Sequence, residues 1–249
     1  MRKIALITGA SSGIGKLSAI ALAKSGFDIV LTGRRQAELE QAAHDVEATG
    51  AKALAVVADV AQEDSVEQLF QFVDRTFGRL DLLFNNAGSN VPSADIDALT
   101  LAQWRSVVDV ILTGSFLCSR AAFRQMKLQT PRGGRIINNG SVSAQAPRPG
   151  SVPYTSAKHA ISGLTKSLAL DGRKFNIACG QIDIGNADTK MGGRMKAGVI
   201  QANGDMREEP VMDPQLVADA VVTMAGLPLA ANILNMTIMA TNMPLVGRG

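Results

Sequence analysis

Lys3-Ile4-Ala5-Leu6-Ile7-Thr8-Gly9-Ala10-Ser11-Ser12-Gly13-Ile14-Gly15 is the stretch on which the fold turns. Ile4 to Ile7 form an unbroken apolar run, as expected of a strand covered on both faces. Glycines and two serines follow at once, and a helical pattern starts at Gly13. Glycines let the backbone turn tightly and approach a diphosphate. A helix N-terminus adds free N–H groups and the positive end of its dipole. The spacing is TGxxxGxG, not GxGxxG, and three glycines near a helix start can also be a plain structural turn. Their place right after an N-terminal apolar strand favours the nucleotide cradle.

The alternation continues outward from this stretch. Strands are expected at Lys3–Thr8, Asp28–Thr32, Lys52–Ala58, Leu80–Asn85, Gly134–Gly140 and Phe175–Gly180, with a last one over Ile233–Ala240. Helical patterns fill Gly13–Ser25, Gln36–Thr49, Glu63–Phe77, Leu101–Met126, Pro153–Gly172 and Pro214–Ala225. Strand and helix in turn predict an α/β doubly wound parallel sheet of about seven strands, with helices on both faces. No linker, repeat or low-complexity tract breaks the chain, so residues 1–249 are expected to form a single domain. Two loops exceed the usual connection length. Val142–Val152 carries two prolines, and Gln181–Met212 carries Met191, Met195 and Met206 among glycines. Long loops at the carboxyl ends of parallel strands are where ligands bind. Residues 181–212 are therefore expected to be a substrate-binding loop or lid, the alternative being a plain surface segment. Its methionines suit a partly apolar pocket. Arg148, in the first loop, is expected to face solvent, a substrate carboxylate being the alternative.

The second strand should end near Thr32. A NAD site usually places Asp or Glu there for the ribose 2′-hydroxyl. Gly33, Arg34 and Arg35 stand there instead. Arginine pairs with a 2′-phosphate through charge-assisted hydrogen bonds. NADP is therefore expected over NAD, with Arg34 as the main contact; a solvated helix start is the alternative reading of the two arginines.

Tyr154 is the only tyrosine in the chain, and Lys158 follows it by one helical turn. Positions i and i+4 share a helix face, so a phenol and an ammonium would project together. A nearby cation favours the phenolate and would lower the tyrosine pKa, and such a phenol can act as general acid and base. Ser141 lies thirteen residues before it.

Thr8-Gly9 to Gly15, Asp59-Val60, Asn85-Asn86-Ala87-Gly88, Ser141 and Tyr154-Thr155-Ser156-Ala157-Lys158 stand in one order along the chain. Together they resemble the short-chain dehydrogenase/reductase family, from Thr8 to at least Gly180. The resemblance implies a Rossmann-like fold and a hydride exchanged between NADP(H) and a small carbonyl or alcohol. It assigns Gly9, Gly13, Ile14 and Gly15, with Ser11 and Ser12 in the same loop, to the diphosphate. It gives Asp59 to the adenine amino group with Val60 beside it, and Asn86, Ala87 and Gly88 to the adenosine ribose side. Tyr154 is the implied proton donor and acceptor. Lys158 would bond the nicotinamide ribose and depress the tyrosine pKa, Ser141 would bond the substrate oxygen, and Ile182 would offer backbone groups to the nicotinamide carboxamide.

The chain departs from the family pattern in three places. Val110-Ile111-Leu112-Thr113-Gly114 puts Ile111 where a catalytic asparagine of a V-N-x-x-G segment is common. That asparagine helps hold a water leading from the active-site lysine to solvent, and a branched apolar side chain can neither donate nor accept. Ile111 therefore supports a second reading, an NADP(H)-binding protein with little turnover, acting as a sensor or regulatory partner. After the sixth strand the family has Pro-Gly and, four residues on, a threonine. With Cys179-Gly180 taken as that pair, Ile184 falls in the threonine slot, and Asn186 or Thr189 is left to do its work. Asn139-Gly140 precedes Ser141 where a second serine is frequent.

Composition narrows the remaining choices. Hydrophobic residues make up 46% of the chain and the net charge is only +3, so a sizeable core is expected and disorder is not. The basic residues form no run and aromatics are 4%, which leaves little for nucleic acid. Two cysteines without a CxxC spacing and two histidines argue against a disulfide framework or a zinc site. With no signal-peptide pattern and no long apolar run, a soluble cytoplasmic protein is expected, without membrane contact. A homo-oligomer is expected by analogy with the family: a tetramer through the last strand and the segment Asn232–Gly249, or a dimer through the helix Leu101–Met126.

Overall fold

The computed structural model describes residues 2–246; Met1 and the end of the C-terminal segment, Gly247–Gly249, lie outside the described residues. Seven strands, β1 (Lys3–Thr8), β2 (Phe27–Gly33), β3 (Ala53–Val57), β4 (Leu82–Asn85), β5 (Gly134–Asn139), β6 (Ile177–Ile184) and β7 (Asn235–Ile238), form one sheet. Every pairing is parallel, and the order is β3-β2-β1-β4-β5-β6-β7. The chain winds outward from β1 to β3, crosses back to β4, and winds outward the other way. That reversal leaves a crevice between the carboxyl ends of β1 and β4, where ligands of such sheets bind.

Helices α1 (Gly13–Lys24), α2 (Gln36–Glu47) and α7 (Pro214–Gly226) cover one face; α3 (Glu63–Phe77), α5 (Gly114–Leu128) and α6 (Val152–Gly172) cover the other. Alternation along β1 joins the two layers. Ala5 and Ile7 pack with Leu22, Leu39, Val46 and Val217, while Ile4 and Leu6 pack with Val66, Leu69, Val73 and Leu117. Each of the larger of these side chains, the leucines, isoleucines and valines, contributes about 1.5–3 kcal/mol when taken wholly out of water.

The helix expected over Leu101–Met126 is two helices and a bulge. A capping box starts α4 (Leu101–Val108): Thr100 accepts the Gln103 N–H and Gln103 reaches back. A π-turn over Asp109–Thr113 then joins α4 to α5. Such a turn inserts a residue and re-aims the side chains around it. The run Leu101–Leu128 is apolar and long enough to cross a membrane by composition, but half of its most apolar window is buried in the protein.

The expected sixth strand changes most. It starts at Ile177 and runs on to Ile184, four residues beyond Gly180. Cys179 to Ile182 pair with β5 from Ile136 to Asn139, and Gln181 to Ile184 pair with β7. Gly180 therefore lies in mid-strand, and Gly185 is the glycine that follows the strand. The long loop consequently begins at Gly185. Within it, Val199–Ile200 pairs antiparallel with Met206–Arg207, and Ala187 bridges to Met212.

Candidate active site

A cavity of about 900 Å³ opens at the carboxyl ends of the central strands. The β1–α1 loop lines it with Gly9, Ser11, Ser12, Gly13 and Ile14. Ser12 stands at the N-cap of α1 but its side chain makes no capping hydrogen bond, so the first-turn N–H groups have no cap oxygen from it. Gly15 does not line the cavity. A Cβ there would stand 2.4 Å from the Gly9 carbonyl oxygen and 2.5 Å from the Asn86 amide nitrogen, so this glycine lets α1 pack closely on the loop.

Arg34 and Arg35 line the cavity where β2 ends. Arg35 is the arginine that reaches the glycine loop, donating to Ser11 Oγ at 2.7 Å and Ser12 Oγ at 3.0 Å. It also pairs with Glu38 at 3.1 Å. Asp59 and Val60 follow β3 on the same wall, and the Asp59 carboxylate accepts the Ala61 N–H at 3.1 Å. Asn86, Ala87 and Gly88 follow β4. The Thr8 hydroxyl accepts the N–H groups of Asn86 and Ala87, each at 2.9 Å, and the Asn86 amide donates to the Thr8 carbonyl at 3.0 Å. These bonds tie β1 to β4 at the floor of the crevice.

Ser141, Tyr154 and Lys158 meet at the far end of the cavity. Ser141 follows β5, and Pro153 in the first turn of α6 sets Tyr154 at the helix start. The Ser141 side chain lies near enough to the Tyr154 phenol to favour its ionised form. Lys158, one turn further, is buried and donates to the Asn139 carbonyl at 2.6 Å, its ammonium 5.6 Å from the centre of the Tyr154 ring.

The electrostatics differ from the sequence expectation. Burial pushes the Tyr154 phenol above its usual pKa, and the Ser141 side chain with the charges of Arg194 and Arg148 offsets this only in part. Lys158 is not among the groups that lower it. Burial instead lowers Lys158 itself to about 8, against the opposing charge of Asp183. In this arrangement the ammonium is spent on Asn139 rather than on the phenol.

Ile182 is a second correction. It is wholly buried in β6, its carbonyl accepts the Gly140 N–H at 2.8 Å, and it does not line the cavity. Ile184, Gly185, Asn186 and Ala187 do. Counting from Gly185, the threonine four residues on is Thr189, which lines the cavity and stands 3.7 Å from where a Gly13 Cβ would be. The spacing that reveals this was present in the sequence, but a strand ended too early hid it. Asn186 has other work: its amide donates to Glu209 at 2.8 Å, and its oxygen accepts from Arg148 at 3.0 Å.

Arg148, expected to face solvent, is mostly buried and ion-paired with Glu209. Burial alone would raise the Glu209 carboxyl, but hydrogen bonds from Arg148, Asn186 and Gln201 outweigh it and hold the pKa below the usual value. Ile111 is 1% exposed in an apolar knot of Val107, Ala157 and Ile161, with Tyr154 packed against it.

The comparisons with known proteins agree with this geometry. A family model described as short chain dehydrogenase matches residues 3–199. The chain is 36% identical to a 3beta-hydroxysteroid dehydrogenase of Mediterraneibacter gnavus over 197 residues, 79% of this chain and 70% of that one. It is 33% identical to a 3-oxoacyl-(acyl-carrier-protein) reductase of Synechocystis sp. over 245 residues, 94% of each. Among solved structures, an alcohol dehydrogenase from the archaeon Thermococcus sibiricus complexed with 5-hydroxy-NADP superposes with a TM-score of 0.84 at 25% identity, covering 97% of each chain.

Proposed function

The chain belongs to the short-chain dehydrogenase/reductase family, nicotinamide-dependent oxidoreductases, and on that premise we propose that it exchanges hydride between NADP(H) and a small carbonyl or alcohol, with Tyr154 as the proton donor and acceptor. One observation carries the reading: Ser141, Tyr154 and Lys158 line the same cavity as the glycine loop, with the Ser141 side chain acting on the Tyr154 phenol.

The residues present fit such a cofactor. The β1–α1 loop and the start of α1 offer N–H groups to a diphosphate. Arg34 and Arg35 offer guanidinium groups to a 2′-phosphate, and no acidic side chain follows Gly33 directly. The 5-hydroxy-NADP of the Thermococcus sibiricus enzyme adds support for this choice. When bound, the nicotinamide supplies the hydride.

The chain's own groups handle the charge and the proton. As negative charge builds on a carbonyl oxygen, the Ser141 hydroxyl donates to it and Tyr154 gives up its phenolic proton. Burial favours the protonated phenol, so Tyr154 holds the proton that reduction consumes and is a weaker acid than a free phenol. Met191, Met195, Val199, Ile200 and Met206 line the same cavity, which favours a partly apolar substrate held by the loop of residues 185–212 as a lid. Arg194 brings positive charge to that end and favours substrates that also carry an anionic group. A homo-oligomer goes with this reading, and the exposure of Leu101 and Phe116 on α4 and α5 supports an association surface there.

Ile111 favours one alternative, an NADP(H)-binding protein with little turnover. Its dry apolar setting gives no anchor for a relay water beside the lysine. A panel of ketones, aldehydes, keto acids and their esters, each run with NADPH and with NADH, separates the two. Reduction with NADPH that falls by about a hundredfold or more in Tyr154→Phe is expected. Full activity in that variant sinks the proton-donor assignment. NADPH binding with no substrate reduced would favour the alternative.

A further inference from the structure

We propose that Asp183 is a positioning residue of the acid–base centre, a buried carboxylate that fixes the Ser141 backbone from behind and gives Lys158 its counter-charge, in space that Gly140 leaves open. The mechanistic part rests on the function proposed above; the packing part does not.

Asp183 lies in β6 and is 2% exposed. Strand alternation turns Gln181 and Asp183 toward α6, while Ile182 and Ile184 join the core on the opposite face. The carboxylate is fully engaged. Oδ1 accepts the Ser141 N–H at 3.0 Å and the Gln181 amide at 2.6 Å, and Oδ2 accepts the Asn235 amide at 2.9 Å and the Gln145 amide at 3.5 Å. All four donors are uncharged. A buried charge with no cation in hydrogen-bond contact is costly unless neutral donors surround it, so this acid is held by a built cage.

The cage reaches into the site. Its first donor is the backbone of Ser141, whose side chain acts on the Tyr154 phenol. Gln181 continues the network, donating to Ser162 at 3.0 Å and accepting from Thr165 at 3.2 Å, both on the helix that carries Tyr154 and Lys158. Strand and helix are thereby locked in one relative placement.

Gly140 explains why the acid fits. A Cβ at that position would stand 2.0 Å from Asp183 Oδ1 and 2.6 Å from the Gln181 amide nitrogen. The family's frequent serine before Ser141 is therefore incompatible with this carboxylate. The glycine at 140 and the acid at 183 form a matched pair.

The charges facing the centre are few. Asp183, from β6, acts on Lys158; Arg148 and Arg194, from the two loops, act on Tyr154. Lys158 sits near 8 with Asp183 opposing the effect of burial. Removing the negative charge takes it lower.

Two measurements test the proposal. The first is a thermal-unfolding cycle on the cofactor-free protein with Gly140→Ser, Asp183→Ala and the pair together. Each single change is expected to destabilise, and the pair is expected to be more stable than the sum of the two losses predicts. The second is Asp183→Asn, followed by the pH dependence of NADPH binding through nicotinamide fluorescence and by the pH profile of turnover. The Lys158 limb is expected to move acid by about one pH unit, with turnover down roughly tenfold and the KM for NADPH little changed. Additive losses in the cycle together with an unmoved binding limb would overturn the proposal. If no carbonyl is reduced by the native protein, the cycle and the binding limb still decide it, and only the function reading falls. Should Asp183→Asn fail to fold, the paired variant carries the test, since rescue requires the carboxylate to be what fills the space beside Gly140.

Discussion

Ile111 shows how one side chain constrains its surroundings. It fills a knot of Val107, Ala157 and Ile161 beneath Tyr154, and its carbonyl accepts the Ser115 hydroxyl at 2.6 Å. The π-turn around it aims this residue at the start of α6 rather than at solvent. Restoring the family's asparagine would bury an amide where only apolar groups wait. Ile111→Asn is expected to lower stability by about 3 kcal/mol, from the lost packing and the poorly satisfied amide together. Urea unfolding measures this, and a loss below about 1 kcal/mol would mean that polar partners or water reach the knot. The same reasoning explains why the Tyr154–Lys158 spacing was legible while its electrostatics were not. Spacing places two groups on one helix face, whereas pKa depends on burial and on partners such as Asn139 and Asp183 that the spacing does not name.

The loop after β6 was only partly legible at the scale of elements. Its length and its glycines mark it in the sequence, but its anchor comes from far along the chain. Arg148 of the β5–α6 loop, Asn186 and Glu209 form one buried cluster joining the two long loops across the cavity mouth. Glu209 is 3% exposed, so removing the guanidinium leaves a buried carboxylate without that cation. Breaking such a pair costs roughly 3–5 kcal/mol locally. Arg148→Ala is expected to loosen the loop before it unfolds the sheet. Limited proteolysis should then cut within residues 185–212 at least tenfold faster than in the native protein, by the relation between opening free energy and open population. An unchanged cleavage rate would show that the hairpin Val199–Ile200 with Met206–Arg207 holds the loop without the ion pair.

The whole molecule has an alkaline limit written into its core. Burial pushes both Cys118 and Cys179 up to about 12 from 9.0. Below pH 9 both thiols keep their protons in either state. Between 9 and 12 the unfolded chain releases them and the native protein does not, so stability falls as pH rises, by up to about 1.4 kcal/mol per pH unit per thiol. Lys158 acts the other way: between 8 and its ordinary 10.5 the unfolded chain holds a proton that the native protein has lost, which adds stability as pH rises. Urea midpoints are expected to decline above pH 9 and more steeply above about 10.5, where Lys158 no longer offsets the thiols and Tyr154 adds to the loss. Cys118→Ala with Cys179→Ala should flatten that decline; an unaltered slope would place its origin elsewhere. The sequence alone determined the parallel sheet, its strand-and-helix rhythm, the glycine loop, and the placement of Ser141, Tyr154 and Lys158, because these are written in local periodicity and short spacing. Only the tertiary structure decided where β6 ends, that Thr189 rather than Ile184 faces the glycine loop, that Ile182 belongs to the core, and that Asp183 shares its space with Gly140. Those facts depend on register between strands distant in sequence and on who occupies a shared volume, neither of which local pattern encodes.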